Sequence, residues 1–312
     1  MGVSSPTFRM NRFAVSLSPF SPQEQTKFDI QHQKNITDSD KEILHKGSRK
    51  MTKENILSRA ANANYLVTRI AENVTAQQVD LNEWIFTHLS VGPEARVLEL
   101  CCGTGQQTVQ LLERVGSRGQ IVAMDVSRQA LQSLEAKLSP EMRTRLKLLE
   151  ASMDELGGEQ VATPSFDLVF CAYGLYYSAD ARRVLSEGKG LLKPSGSLVV
   201  VGPYGPNNAL LFRFLEQQKV RIPDYVRYTS QDFMWQEVVP WATLNFTSVR
   251  INTLVNPVRW QSAQSVLSYW QNSTFFDEQR QADVQAGLAD YFCDHTEFVN
   301  EKSVMMLVAN NG

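Results

Sequence analysis

Apolar residues from position 56 to position 74 recur at helical spacing. Ile56, Ala60, Ala63, Val67, Ile70 and Val74 step by four and three, which places them on one face of a helix. Val79, Trp84, Ile85 and Leu89 predict a second, shorter helix that ends before Gly92-Pro93. From Ala95 the pattern changes to short apolar runs separated by amphipathic stretches. Strands are predicted at 96–100, 121–124, 146–150, 166–172 and 198–201, the last after the turn signal Lys193-Pro194-Ser195-Gly196. Helices are predicted from Gln106 to about Val115 and after Ser127, which has the chemistry of an N-cap. Such alternation predicts a parallel sheet with right-handed crossovers, whose ligand lies beyond the carboxyl ends of the strands. A sixth strand begins at Val249-Arg250-Ile251 and a seventh covers 303–308, with a helical stretch carrying Tyr269, Trp270, Phe275 and Phe276 between them.

Composition narrows the class. With 43% hydrophobic and 21% charged residues, the chain has ordinary globular usage, and whole-chain disorder is excluded. Its 312 residues leave room for two domains. Lys+Arg number 31 and Asp+Glu 33, a formal charge of -2, which disfavours a surface built to neutralise many phosphates. Four cysteines without a C-x-x-C spacing provide neither a disulfide scaffold nor a zinc site. No apolar run approaches the roughly 20 residues of a membrane span. A cytoplasmic protein of a reducing compartment is expected. Residues 1–50 are rich in Ser and Pro and carry no acid before Glu24, so they read as a flexible leader. Arg9 and Arg12 in that acid-poor start keep an organellar targeting signal as the alternative. Met51 opens the run that looks folded, so an upstream-extended start is a further reading of the leader.

The chemistry concentrates after the first predicted strand. Gly103 and Gly105 let the chain turn tightly and approach a ligand, and Asp125, about 20 residues on, can accept hydrogen bonds from ribose hydroxyls. A nicotinamide dinucleotide would call for G-x-G-x-x-G facing a pyrophosphate. Here Gln106, Gln107 and Thr108 follow Gly105, and the third glycine is missing. Glu99, on the strand before the turn, would repel a pyrophosphate but suits a ligand bearing an ammonium and a sulfonium. S-adenosylmethionine is therefore favoured over NAD.

The run Val97-Leu98-Glu99-Leu100-Cys101-Cys102-Gly103-Thr104-Gly105 resembles the first motif of class I S-adenosylmethionine-dependent methyltransferases. The similarity continues through Val122 to Ser127, Glu150 to Asp154, Phe166 to Val169 and Leu191 to Gly196, in the family's order. Within the class it is similar to the small-molecule branch that includes the ubiquinone and menaquinone biosynthesis methyltransferases. The resemblance implies an α/β, Rossmann-like doubly wound fold. Its sheet would be mostly parallel and seven-stranded with an antiparallel edge strand, accompanied by N-terminal helices and a helical cap insertion. The expected division is a leader over 1–50 and one domain over 51–312. Within that domain 51–94 would be N-terminal helices, 95–202 the cofactor-binding core, 203–247 the cap, and 248–312 the closing strands and helix.

Site roles follow from the same resemblance. Glu99 and the turn Cys101, Cys102, Gly103, Thr104 and Gly105 would hold the methionine end, with Glu99 near the amino group. Asp125 would bind the ribose, Val126 would lie against adenine, and Ser152 and Met153 would form the adenine edge contact. Cys171, Ala172 and Tyr173 would face the reacting methyl. The plain alternatives are that Glu99 and Asp125 are ordinary strand-end acids, Cys101 and Cys102 small hydrophobes in a tight turn, and Asp154 a surface or capping residue. Three positions depart from the family. Cys101 replaces a glycine, so the backbone must accept a Cβ; Ser152 stands where Asp is common; and Tyr176-Tyr177 stand where this branch often has two histidines.

The expected acceptor is small, aromatic or otherwise partly apolar, since Tyr225, Tyr228, Phe233, Trp235 and Trp241 crowd the segment expected to cover it. For each of these, packing on the core is the equal alternative. Nucleic acid is disfavoured by charge and by Cys171-Ala172-Tyr173-Gly174, which stands where amino-group nucleobase methyltransferases carry an Asn/Asp-Pro-Pro-aromatic motif. If the acceptor must lose a proton, the candidates are Tyr173, Tyr176, Tyr177 and His295. Of the other histidines, His32 and His45 fall in the leader and His88 ends a helix. The reading from a different class is a cofactor-binding regulatory or scaffold subunit without turnover.

Overall fold

A computed structural model describes residues 51–156 and 165–311; the leader, with His32 and His45, lies outside the described residues. The first helical stripe is broken in two, α1 (Lys53–Ala61) and α2 (Ala63–Val74). Asn62 causes the break. Its backbone is extended, with ψ 111°, and its side chain accepts hydrogen bonds from the N–H groups of Asn64 and Tyr65, so it closes one helix and caps the next. Helix α3 (Leu81–His88) follows, capped by Asp80.

The alternating region follows the predicted order: β1 (Arg96–Leu100), α4 (Gln106–Arg114), β2 (Gln120–Asp125), α5 (Arg128–Glu135), α6 (Pro140–Thr144), β3 (Leu146–Glu150), β4 (Phe166–Ala172), α7 (Ala181–Gly190) and β5 (Leu192–Pro203). The strand β5 begins earlier than the turn chemistry of 193–196 suggests. Leu192 already pairs with Phe166, and regular pairing resumes with Ser197 opposite Leu168, so Lys193 to Gly196 form an irregularity inside the ladder. Helix α8 (Ala209–Gln217) leads to a helical run from α9 (Asp224–Arg227) through π-helical turns at Tyr228–Asp232 and Met234–Val238 into α10 (Val239–Asn245). The chain closes with β6 (Ser248–Trp260), α11 (Ala263–Gln271), α12 (Gln281–Asp294) and β7 (Phe298–Asn310).

The sheet order is β3-β2-β1-β4-β5-β7-β6. Strands β1 to β5 pair in parallel, while β7 is antiparallel to both β5 and β6. The antiparallel pairing therefore falls at one edge, with β7 reversed between β5 and the outermost β6. The chain steps outward from β1 to β3 and then crosses to β4, so the order reverses between β1 and β4 and opens a crevice at their carboxyl ends. Val97, Leu98 and Leu100 are all buried because both faces of β1 are covered. Leu98 and Leu100 pack with Leu185 and Leu198, and Val97 packs with Leu111 and Leu134. Trp260, Trp270 and Phe212 belong to a third buried cluster with Leu288.

The outer edge of β6 is covered by the chain between α2 and α3. Gln78 N–H donates to the Pro257 carbonyl at 3.0 Å and Arg259 N–H to the Ala76 carbonyl at 2.8 Å. The Asn256 amide accepts from Val79 N–H at 3.0 Å and donates to the Val79 carbonyl at 2.8 Å. Pro257 has no N–H to offer and tolerates this edge position. Asn256→Ala removes both side-chain bonds and leaves the half-buried Val79 N–H and carbonyl without these partners, so it should cost about 1–3 kcal/mol in urea denaturation. An unchanged midpoint would mean that these bonds do not hold the N-terminal helices to the sheet.

Candidate active site

The chain leaves β1 through a turn in which every second residue is left-handed: Cys101 at φ 56°, Gly103 at 54° and Gly105 at 82°. At Gly105 a Cβ would also lie 2.2 Å from Leu134 Cδ1, so glycine is needed for space as well as conformation. The N–H groups of the turn are already engaged. Gly103 donates to Asp125 Oδ2 at 2.8 Å, and Cys102 donates to the Met124 carbonyl at 3.0 Å. Asp125 Oδ1 accepts from Ser127 N–H at 2.8 Å, and the Ser127 hydroxyl caps α5. A turn whose central N–H is held by a carboxylate is poorly prepared for pyrophosphate. The carboxylate oxygens keep lone pairs for ligand hydroxyls. Burial raises the Asp125 carboxyl above its ordinary value, opposed by the N–H groups of Ser127 and Gly103.

Glu99 is buried, only 1% exposed, and its Oε2 has no hydrogen-bond partner. Burial pushes its carboxyl up to about 8, against the lowering effect of the nearby Thr108 hydroxyl and with a contribution from Asp125. A buried, unpaired acid beside a ligand-binding turn is costly unless a cation or a proton compensates it. Its side chain does not itself line the cavity.

Cys101 keeps its left-handed backbone because Gly174 makes room for its side chain. A Cβ at Gly174 would lie 2.3 Å from Cys101 Cβ and 2.6 Å from its Sγ. On its other side the Cys101 Sγ meets Met153 Sδ at 3.6 Å. Neighbouring Cys171 and burial raise the Cys101 thiol, and burial with Glu99 raises that of Cys102, so both favour the protonated form.

A cavity of about 740 Å³ opens over this turn. Of the sequence-predicted residues, Cys101 to Thr104, Asp125, Val126, Ser152, Met153, Tyr173, Tyr176 and Tyr177 line it. Glu99, Gly105 and Cys171 sit outside its wall, and so does His295. His295 follows α12, exposed, with its ring stacked on Tyr291 at 4.1 Å and Nδ1 2.9 Å from the Tyr291 carbonyl oxygen. That position removes it from the candidate proton acceptors. The tyrosines are poor bases for another reason: burial raises the phenols of Tyr173, Tyr176 and Tyr177, which favours their protonated form. Ser152 uses its hydroxyl to accept from Asp154 N–H at 3.1 Å. Asp154 is a cap for the following segment, accepting from the Ser178 hydroxyl and from Ala179 N–H.

The aromatic residues of the cap segment do not line the cavity. Tyr225 donates its hydroxyl to the Tyr176 carbonyl at 2.7 Å, Phe233 packs edge-on against Tyr176, and Trp241 packs on Phe246. The segment instead contributes Val226, Thr229 and Ser230. Sequence reasoning also missed the wall made by α1 and α2, through Leu57, Leu66 and Ile70. Arg59 Nε holds the Ser273 carbonyl at 2.8 Å and Arg69 Nη1 the Asn272 carbonyl at 3.3 Å, fastening that wall beyond α11. The missed polar group is a lysine on β7. Lys302 Nζ lies 2.6 Å from both the Tyr269 hydroxyl and Asn208 Oδ1, and all three residues line the cavity. A lone lysine in the largely apolar run 298–310 was the available signal.

Two outcomes test this geometry. Gly174→Ala should destabilise the fold by about 1–3 kcal/mol through overpacking, and Cys101→Gly in that background should recover much of the loss. Simple additivity in a double-mutant thermal-unfolding cycle would show that the two do not share space. The raised Glu99 carboxyl makes the ligand-free folded chain hold a proton that the unfolded chain has lost between the ordinary value of 4.5 and about 8. Folding stability should therefore fall as pH rises through that window, by about 1.4 kcal/mol per unit from this group. Comparing urea denaturation of wild type and Glu99→Gln across the window checks this, the variant lacking that component of the slope.

Residues 75–222 match the model of the ubiE/COQ5 methyltransferase family. A demethylmenaquinone methyltransferase of Lactococcus lactis is 37% identical over 105 residues, covering 34% of this chain and 40% of that protein. A 2-phytyl-1,4-naphtoquinone methyltransferase of Trichormus variabilis is 31% identical over 126 residues, covering 40% and 53%. The chain spans about half the length of the curated relatives it matches. The crystal structure of the YcgJ protein from Bacillus subtilis shares the fold with a TM-score of 0.52 at 16% identity, over 73% of this chain and 97% of that one. No helix among the described residues is long and apolar enough to cross a membrane. Over residues 75–222 the chain is therefore similar to the ubiE/COQ5 methyltransferase family, and its sheet has the fold of the YcgJ protein.

Proposed function

We propose that this chain moves a methyl group from S-adenosylmethionine to a small, partly apolar acceptor by in-line displacement. One observation carries the reading: a single cavity of about 740 Å³ joins the Asp125-anchored turn to a chamber walled by Tyr173, Tyr176, Tyr177 and Tyr269. That volume is in the upper part of the roughly 300–1,000 Å³ range of small-molecule sites. In this reading residues 51–312 act as one domain, with 203–247 as the cap.

The residues present fit the cofactor. The unpartnered Glu99 Oε2 beside the turn suits an ammonium group, and a carboxylate-occupied turn suits a ligand without phosphate. Asp125 would hold the ribose hydroxyls, and Val126, 55% exposed at the cavity margin, would lie under adenine. The turn would carry the methionine end, Ser152 and Met153 the adenine edge, and Ala172 and Tyr173 the region of the reacting methyl. Bound there, the cofactor supplies an electrophilic methyl on a sulfonium. The chain's part is to align acceptor and methyl, exclude water, and match an environment to positive charge that disappears in the transition state. The named substrates of the two relatives motivate a quinol-type ring as acceptor. A near-neutral chain charge and a tyrosine-walled chamber support a small molecule rather than nucleic acid.

Calorimetry should show S-adenosylmethionine binding to wild type and a loss of about 10-fold or more in Asp125→Ala, as expected for hydrogen bonds to a charged group. Release of S-adenosylhomocysteine should then appear with some member of a panel of quinols, phenols, amines and prenylated acceptors. Absence of binding sinks the cofactor reading. Binding without release from any acceptor would favour the scaffold reading instead.

A further inference from the structure

Four tyrosines share the cavity, and one of them differs in its surroundings. Tyr269 is buried, yet its hydroxyl meets Lys302 Nζ at 2.6 Å. The ammonium is fixed from its other side by Asn208 Oδ1 at 2.6 Å, which also accepts from Asn300 Nδ2 at 2.9 Å. Asn208 sits at φ 61°, a left-handed conformation at the start of α8, so backbone and side chain together aim its oxygen at the lysine. A half-buried lysine held by two acceptors, one of them a phenol facing a ligand cavity, is a device for stabilising a phenolate. Among the described residues, no cation is hydrogen-bonded to the hydroxyl of Tyr173, Tyr176 or Tyr177.

We propose that Tyr269, held by Lys302, is the proton acceptor of this site, and that the methyl acceptor is a phenol or hydroquinone whose O–H must be removed. The inference rests on the methyl-transfer reading above and supplies the base that reading lacks. The acceptor's O–H proton passes to the Tyr269 phenolate oxygen. The electron pair left on the acceptor, on oxygen or delocalised to a ring carbon, forms the new bond to the methyl carbon, and the pair of the broken C–S bond stays on sulfur. Where carbon is the nucleophile, the displaced ring proton is lost to water as the ring regains aromaticity.

Burial lowers the Lys302 ammonium, and the facing Tyr269 phenol opposes that shift. Burial alone would raise the Tyr269 phenol, but Lys302 first, then Arg69 on α2 and the Asn73 side chain, outweigh it and lower it. Tyr173 and Tyr177 face the same space, each raised chiefly by burial. The cavity's carboxylates are committed elsewhere: Asp80 caps α3, Asp125 holds the turn, and Asp154 holds Ser178 and Ala179.

The pair can be read without any ligand by following tyrosinate absorbance during a pH titration of the whole protein. One tyrosine should ionise ahead of the rest. That early step should vanish in Tyr269→Phe, move to higher pH in Lys302→Met, and persist in Lys302→Arg. With S-adenosylmethionine and phenols graded in acidity, Tyr269→Phe should lose about 10²–10⁴-fold in turnover on weakly acidic acceptors. It should lose little on acceptors already ionised, and cofactor binding by calorimetry should not change. Because the base must be unprotonated, turnover rises with pH through its ionisation, and Lys302→Met should shift that rise upward. No early tyrosine, or an equal loss on every acceptor, overturns the assignment. A wild type that releases no S-adenosylhomocysteine with any acceptor fails the methyl-transfer reading as well. Normal wild-type turnover that survives Tyr269→Phe overturns the base alone.

Discussion

Everything in the site depends on how two adjacent chains leave the sheet at the reversal of strand order. The strands β1 and β4 lie side by side, and both must turn away at their carboxyl ends. Both do so through a left-handed, non-glycine residue, Cys101 after β1 and Tyr173 after β4. The two turns would collide if the residue after Tyr173 carried a Cβ, so the side chain tolerated at Cys101 is compensated by its absence at Gly174. That exchange sets the floor of the cavity. Tyr173 is held there by donating its N–H to the Val201 carbonyl at 2.8 Å, and Asp125 reaches across from β2 to hold Gly103.

The cavity that results has opposite electrostatic ends. Near the turn stand the carboxyls of Glu99 and Asp125, whose burial makes a cationic ligand welcome. Arg69 and Lys302 stand beside Tyr269, where anionic oxygen is favoured. In the proposed methyl transfer, positive charge is consumed at one partner and negative charge at the other, and a site acidic at one end and cationic at the other would hold both in their reactive charge states.

The alternating core was legible in the chain because each strand is a short, doubly covered apolar run and each helix begins at an identifiable cap or turn, as at Ser127 and Gly105. Local chemistry misled where longer-range pairing prevails. Lys193 to Gly196 read as a turn, yet the ladder between β4 and β5 resumes on either side of them. The strands β6 and β7 pair over 13 residues, well beyond the short runs their apolar content marks out, since the edge strand exposes alternate side chains. Asn62 breaks a stripe whose spacing is continuous, because a capping side chain outweighs periodicity. The acceptor side was the least legible. Its walls come from residues near 60, 175, 230, 270 and 300, and no spacing rule relates a tyrosine on α11 to a lysine on β7. For the aromatic-rich segment 203–247 composition is the only guide in the sequence, whereas Phe233 and Trp241 pack on neighbouring rings and Tyr225 bonds the Tyr176 carbonyl.

The lacing of residues 76–79 onto β6 has a consequence for the order in which the protein becomes competent. Val79 and the Asn256 side chain that holds it are 177 positions apart in the chain. The glycine turn and Asp125 can be assembled from neighbouring βα units, through contacts short in sequence. The chamber beside them cannot, since its helical wall has nothing to fasten to until the chain's final third has added β6 beside β7. Loop closure over such a distance is slow relative to local contacts. During synthesis and refolding alike, the Asp125-anchored turn would therefore exist before the enclosure beside it, and the last strand to form would be the one that brings Lys302 to Tyr269.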